Sequence, residues 1–152
     1  MNFFVPGLPK PQGSKRAFVV KGRPVLAESA GQPLKDWRAV VALAAMNQMA
    51  GSPPLDGPVL VRLGFYLPRP KSHPKTKITY PTSRPDIDKL ARSVLDALTH
   101  ICFSDDAQVV HLEARKWWAD GGNSVGVGIS VMPCLWSQHH PGAGIRRMEG
   151  EA

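Results

Sequence analysis

Residues 84–110 read RPDIDKLARSVLDALTHICFSDDAQVV, and the fold is best read outward from them. From Asp88 to His100, Leu90, Ala91, Val94, Leu95 and Leu98, with Ile101 beyond, recur at helical spacing, so a helix with one buried face is expected. Two acidic pairs bracket it: Asp86 and Asp88 before it, Asp105 and Asp106 after the short loop Cys102-Phe103-Ser104. An aspartate at a helix start can simply cap it, and Asp105-Asp106 can be turn residues. Asp88 can pair with Arg92, and Arg92 with Asp96, one turn apart. The same carboxylates are also hard oxygen ligands suited to Mg²⁺. If residues 86–88 are extended, Asp86 and Asp88 point to one side and Ile87 turns into the core. The helix is roughly 20 Å long, so Asp105-Asp106 cannot reach Asp86 and Asp88 along it. The pairs would meet if a strand antiparallel to the helix brought residues 105–110 alongside the helix start.

The flanking sequence supplies a sheet. Residues 58–67 alternate, with Val59, Val61, Leu63, Phe65 and Leu67 in phase, and residues 108–118 and 124–132 read as two more long strands. Asn2 to Val5 is a short strand, and Ala17–Val20 and Pro24–Ala27 are two more joined around Lys21-Gly22. Between them and residue 58, Pro33 opens a helix that Gly51 stops, with Leu34, Trp37, Val41, Ala44 and Gln48 on its inner stripe. The order predicts an α/β (α+β) domain, a single mixed β-sheet flanked by two main helices, over residues 1–132. Residues 133–152, rich in Gly, His, Arg and Glu, are expected to be a disordered tail.

Charge is unevenly distributed. Residues 1–85 hold 13 Lys/Arg against 3 acids, whereas residues 86–132 hold 4 against 7. No acid lies between Asp56 and Asp86, a stretch that carries Arg62, Arg69, Lys71, Lys75, Lys77 and Arg84. Its 68–85 portion holds five prolines and reads as a basic loop, mobile until it meets a ligand. Cations beside clustered carboxylates suit a phosphate partner and metal-assisted hydrolysis. Arg69, Lys71, Lys75 and Lys77 are expected phosphate contacts, Lys10, Lys15 and Arg16 a second cationic wall, and Lys116 a residue reaching the same site. The two cysteines, Cys102 and Cys134, form no Cys-x-x-Cys pair, which excludes a zinc framework or disulfide scaffold. No apolar run approaches a membrane span, and no signal-peptide pattern is present, so a cytoplasmic protein with no membrane association is expected.

The run from Arg84 to Thr99 followed by Phe103 to Val110 closely resembles the RusA family of Holliday-junction resolvases. That family's pattern is approximately P-D-[LI]-D-N-L-x-K-x-x-x-D-A-L, then a short loop, then D-D-A-Q-V. The opening Gly7-Leu-Pro-Lys-Pro-Gln-Gly-Ser-Lys-Arg16 and the strand ending in Lys116 resemble it too, so the likeness spans roughly residues 1–132. The resemblance implies a homodimeric, Mg²⁺-dependent endodeoxyribonuclease (Mn²⁺ a possible substitute) of DNA recombination and repair. Such enzymes bind four-way DNA junctions and nick two strands symmetrically. It implies that Asp86, Asp88 and Asp106 are the catalytic, metal-holding carboxylates. The family's lysine four residues after the second aspartate is Arg92 here, which keeps the charge without serving readily as a proton donor or base. Its usual asparagine is Lys89, placed with Arg84 among the DNA-binding cations. Two other readings stay open: a non-catalytic DNA-binding module of the same fold, and another metal-dependent nuclease, flap or single-strand specific.

Overall fold

The computed structural model describes residues 1–13, 15–20, 22–28, 31–74 and 78–134. Its elements are β1 (Asn2–Pro6), β2 (Lys15–Val20), β3 (Arg23–Glu28), α1 (Gly31–Met49), β4 (Val59–Leu67), α2 (Ile87–Leu98), β5 (Val109–Trp118) and β6 (Gly126–Pro133). A single 3₁₀ turn, Asp106–Gln108, precedes β5. Four strands form one mixed sheet in the order β1-β6-β4-β5, in which only β4 and β5 are parallel. The expected α+β architecture is therefore present, with β2 and β3 split off as a separate antiparallel hairpin.

Both helices lie on one face of the sheet. Every residue of β4 that faces them is buried (Val59, Val61, Leu63, Phe65 and Leu67) because the strand runs through the middle of the sheet. Leu90, Ala91, Val94, Ala97 and Leu98 of α2, Trp37 and Val41 of α1, and Val127, Ile129 and Val131 of β6 join them in one core. The buried stripe of α1 is Leu34, Trp37, Val41, Ala45 and Met49 rather than one through Ala44 and Gln48. An apolar helix offers several stripes of the right period. Packing on the sheet selected this one and left Val40, Leu43 and Met46 exposed.

The other face of the sheet is uncovered by any described helix. It carries Phe4, Tyr66 and Trp117, the last two stacked with ring centroids 5.5 Å apart. Phe4 lies so close over Gly126 that a Cβ there would come within 2.6 Å of its ring and 2.3 Å of the Val5 carbonyl. Trp118 faces the opposite way and is buried.

Parallel neighbours need a crossover connection, and here it is the segment from Pro68 through α2 to Gln108. This decides where the functional residues lie. β4 finishes at one end of the sheet, α2 returns antiparallel to it, and β5 starts again from the other end. The long stretch before α2 is tied down at several points. The Arg69 guanidinium donates to both Asp120 carboxylate oxygens, to the Pro74 carbonyl at 3.1 Å and to Thr79 Oγ1 at 2.9 Å, and lies over the Trp118 ring. Trp118 Nε1 donates to Thr79 Oγ1 as well. The described part of the 68–85 loop is thus tied to Trp118 at the end of β5 and to Asp120 just beyond it. Among the described residues, no helix is long and apolar enough to cross a membrane.

Candidate active site

Asp86 occupies the N-cap position of α2 in an extended conformation, yet its side chain accepts no hydrogen bond from the helix amides. Its carboxylate instead lies 3.2 Å from Lys89 Nζ, one turn along, in a solvent-facing pair. Such a pair contributes at most about 1 kcal/mol, so it leaves the carboxylate available. Asp88 is exposed in the first helical turn with no partner among the described residues. The helix begins at Ile87, so the expected extended Asp86-Ile87-Asp88 does not form, and Ile87 is 37% exposed instead of turning into the core. Strand alternation fails here because helical geometry takes over one residue earlier. Both acids remain at the positive end of the α2 dipole.

Beneath them Lys116 organises the backbone. Its ammonium, on the helix-facing side of β5, donates to the carbonyls of Ser83 at 3.1 Å and Pro85 at 3.0 Å. The last residues before Asp86 are thereby fixed to the end of β5. A second clamp comes from the opening loop, where the Gln12 amide donates to the Lys89 carbonyl at 2.8 Å. The two loops enclose a cleft of about 300 Å³ lined by Lys10, Arg84, Pro85 and Trp118, immediately before the two acids. Lys10 and Arg84, far apart in sequence, thus reach the same cleft. Arg92 is exposed on α2 and has no ion pair among the described residues. A larger concavity of about 730 Å³ lies on the open face of the sheet, between Arg62, Gly64, Tyr66, Glu113, Arg115 and Trp117, and includes none of the four aspartates.

Asp106 is elsewhere. It opens the 3₁₀ turn before β5, exposed and without a partner among the described residues. Seven residues of strand separate Val109 from Lys116, about 23 Å, and α2 spans about 18 Å in the opposite sense. Asp106 therefore lies on the order of 20 Å from Asp86 within one chain. Among the described residues, no group of three His, Cys, Asp or Glu side chains is gathered to hold a metal ion. The expectation that an antiparallel strand would bring Asp106 to the helix start fails for a topological reason. Such a strand begins beside the helix end, and only its own C-terminal part, here Lys116, reaches the helix start.

Other sequence expectations divide similarly. Asp105 is structural: it caps the 3₁₀ turn, accepting from the Ala107 amide at 2.8 Å, while Gln108 Oε1 accepts from the Asp105 amide at 3.1 Å. Asp96 pairs with Arg38 of α1, not with Arg92. Arg69, expected at phosphate, has only 10% of its side chain exposed and is committed to Asp120, Thr79 and the Pro74 carbonyl; it anchors the loop instead. That strong hydrogen bond to Asp120 holds its guanidinium in the charged form. Lys71 is exposed and available. Lys75 and Lys77, the side chains of Lys15 and Arg16, and the tail from residue 135 lie outside the described residues. Sequence reasoning missed the anchoring role of Arg69. The only hint was an arginine next to proline at a strand end, with its partner Asp120 51 residues away.

A βαβ crossover bearing paired acids at the start of its helix, beside a cationic cleft at the strand ends, defines the class of fold and site. The family profile for endodeoxyribonuclease RusA matches residues 6–131, and the chain belongs to that family of DNA-cutting enzymes. It is also similar to the uncharacterized protein YqaN of Bacillus subtilis (strain 168), with 32% identity over an alignment of 129 positions that covers 79% of this chain and 89% of that protein.

Proposed function

We propose that this protein is a metal-dependent endonuclease that resolves four-way DNA junctions by paired symmetric nicks, acting as a homodimer whose two sites are each completed by the second copy. The observation that carries this reading is the exposed, uncapped Asp86-Asp88 pair beside the cleft of Lys10 and Arg84. The donor set fits Mg²⁺ in chemistry, with oxygen donors and no described cluster of softer ligands, but one chain supplies only two of the three expected carboxylates. Asp86 and Asp88 would hold the ion, or Mn²⁺ in its place, and Asp106 of the partner subunit would add the third carboxylate. A bound ion would supply a Lewis acid and an activated water. The chain's own residues do the rest. Lys10 and Arg84 neutralise backbone phosphates at the cleft and the exposed Lys71 neutralises one outside it, Lys89 holds Asp86 in the resting chain, and Arg92 adds fixed charge along α2. Lys116 keeps the Ser83–Pro85 backbone in place so that the carboxylates meet the phosphate in one geometry.

A cleavage assay on a mobile four-way junction, a flap, a single strand and a linear duplex, with and without Mg²⁺, tests this. Selective paired nicking of the junction that EDTA abolishes is expected. Preference for the flap or the single strand would reassign the substrate, and tight junction binding without cleavage under any divalent ion would leave a DNA-binding module. Binding should weaken with salt at a log–log slope of about −0.9 per duplex phosphate neutralised.

A further inference from the structure

We infer that the open face of the sheet is a second nucleic-acid surface: a shallow trough for an unpaired DNA strand, with bases against its aromatic wall and a phosphate at Arg115. It lies on the side away from the helices and is independent of the cleavage proposed above. The strand registers set its shape. One row across the sheet runs Phe4, Gly128, Gly64 and Arg115, so its two central strands carry no side chain there. On one side of that row stand Tyr66 and Trp117, neighbours across β4 and β5. On the other stand Asn2, Ser130, Arg62 and Glu113. Together they frame the concavity of about 730 Å³.

Each part of the trough has its own chemistry. A Cβ at Gly128 would meet only the Gly64 carbonyl oxygen, at 3.9 Å, so the floor there is open backbone. The Tyr66 and Trp117 rings are half-buried and stacked at an interplanar angle of 25°, which fixes them before any ligand arrives. A base added to such a wall gains stacking energy whatever its sequence. Asn2 and Ser130 offer donors and acceptors to base edges. The Glu113 carboxylate is neutralised by Arg62 at 3.1 Å, whereas Arg115 is exposed with no ion pair among the described residues. The uncompensated charge on this face is therefore cationic and suits a phosphate. An apolar protein partner would bury Arg115 and the Arg62–Glu113 pair without compensation. A duplex keeps its base planes inside its own stack, but an unpaired strand presents them. Four-stranded sheets with aromatics on an open face take about two or three unpaired bases in this manner.

Fluorescence anisotropy of a labelled oligothymidylate with the full chain in EDTA tests the surface without cleavage. Trp117→Ala and Arg115→Glu should each weaken binding about tenfold or more, with Trp117→Phe and Arg115→Lys recovering most of it. Lys35→Glu makes the same change of charge on exposed α1, behind the sheet, and should alter binding less than about twofold. Circular dichroism checks that each variant folds. Ultraviolet cross-linking of an oligonucleotide carrying 5-iodouracil, read by mass spectrometry, should label Tyr66 or Trp117. No oligothymidylate binding, equal losses from Lys35→Glu and Arg115→Glu, or labels confined to the Lys10–Arg84 cleft overturns the assignment. Binding at this face by a chain that cuts no DNA would uphold the surface and refute the nuclease reading; junction cutting without oligothymidylate binding would do the reverse.

Discussion

At the start of α2, Asp86 sits in the capping position without capping; past the other end, Asp105 sits in the same position of a 3₁₀ turn and caps it fully. The two acidic pairs look alike in sequence and are used differently. Asp86 and Asp88 both keep carboxylates free of local structural work, whereas the second pair divides, Asp105 holding the turn and Asp106 facing solvent. An aspartate beside a helix is thus informative only once its hydrogen bonds are known. On the proposed reading, each chain contributes to two sites. The βαβ crossover puts the pairs at opposite ends of the strands, so a partner running the other way would unite them.

The largest expected effect separates Asp106 from Asp105. Asp86→Asn, Asp88→Asn and Asp106→Asn should each lower single-turnover nicking roughly 10³-fold or more while junction binding persists. A normal rate for Asp106→Asn would place the second pair outside the chemistry. Next comes Lys116. Lys116→Met should release the Ser83 and Pro85 carbonyls and cost about 10²-fold in rate through misplacement, with Lys116→Arg recovering part of it. Equal rates for all three proteins would make that contact incidental. Asp105→Ala should do the reverse of Asp106→Asn, losing about 1 kcal/mol of folding stability in denaturant titration with cleavage changed only a few-fold.

The smallest effect concerns Cys102, buried near the Asp106 end, whose thiol burial pushes up to about 11. The folded chain then retains a proton that the unfolded chain releases nearer pH 9. The contribution is complete below about pH 9 and is lost as pH rises toward about 11. Cys102→Ala should flatten that alkaline decline in thermal melts, and an unchanged slope would assign the decline to other groups.

Much of this was legible before any coordinates. Alternation and helical spacing located each strand and helix among the described residues to within a few residues, because buried faces impose their period on the sequence. The long motif from Arg84 to Val110 carried the family. Three things were not legible. Which stripe of α1 faces the sheet depends on packing, because Val40, Leu43 and Met46 offer a second apolar stripe. The Arg69–Asp120 anchor joins residues whose proximity exists only after β4 and β5 pair. The separation of Asp106 from Asp86 follows from β4 and β5 being parallel, and strand periodicity contains no information about direction.

Mixing two inactive variants tests the shared site most directly. In a dimer of Asp86→Asn with Asp106→Asn, one site would keep Asp86 and Asp88 from one chain and Asp106 from the other, while the second site would lack both. Remixed protein should regain nicking of one strand of a four-way junction, although neither variant cuts alone. If the mixture stays as inactive as its parents despite proven subunit exchange, the three carboxylates do not act across the pair.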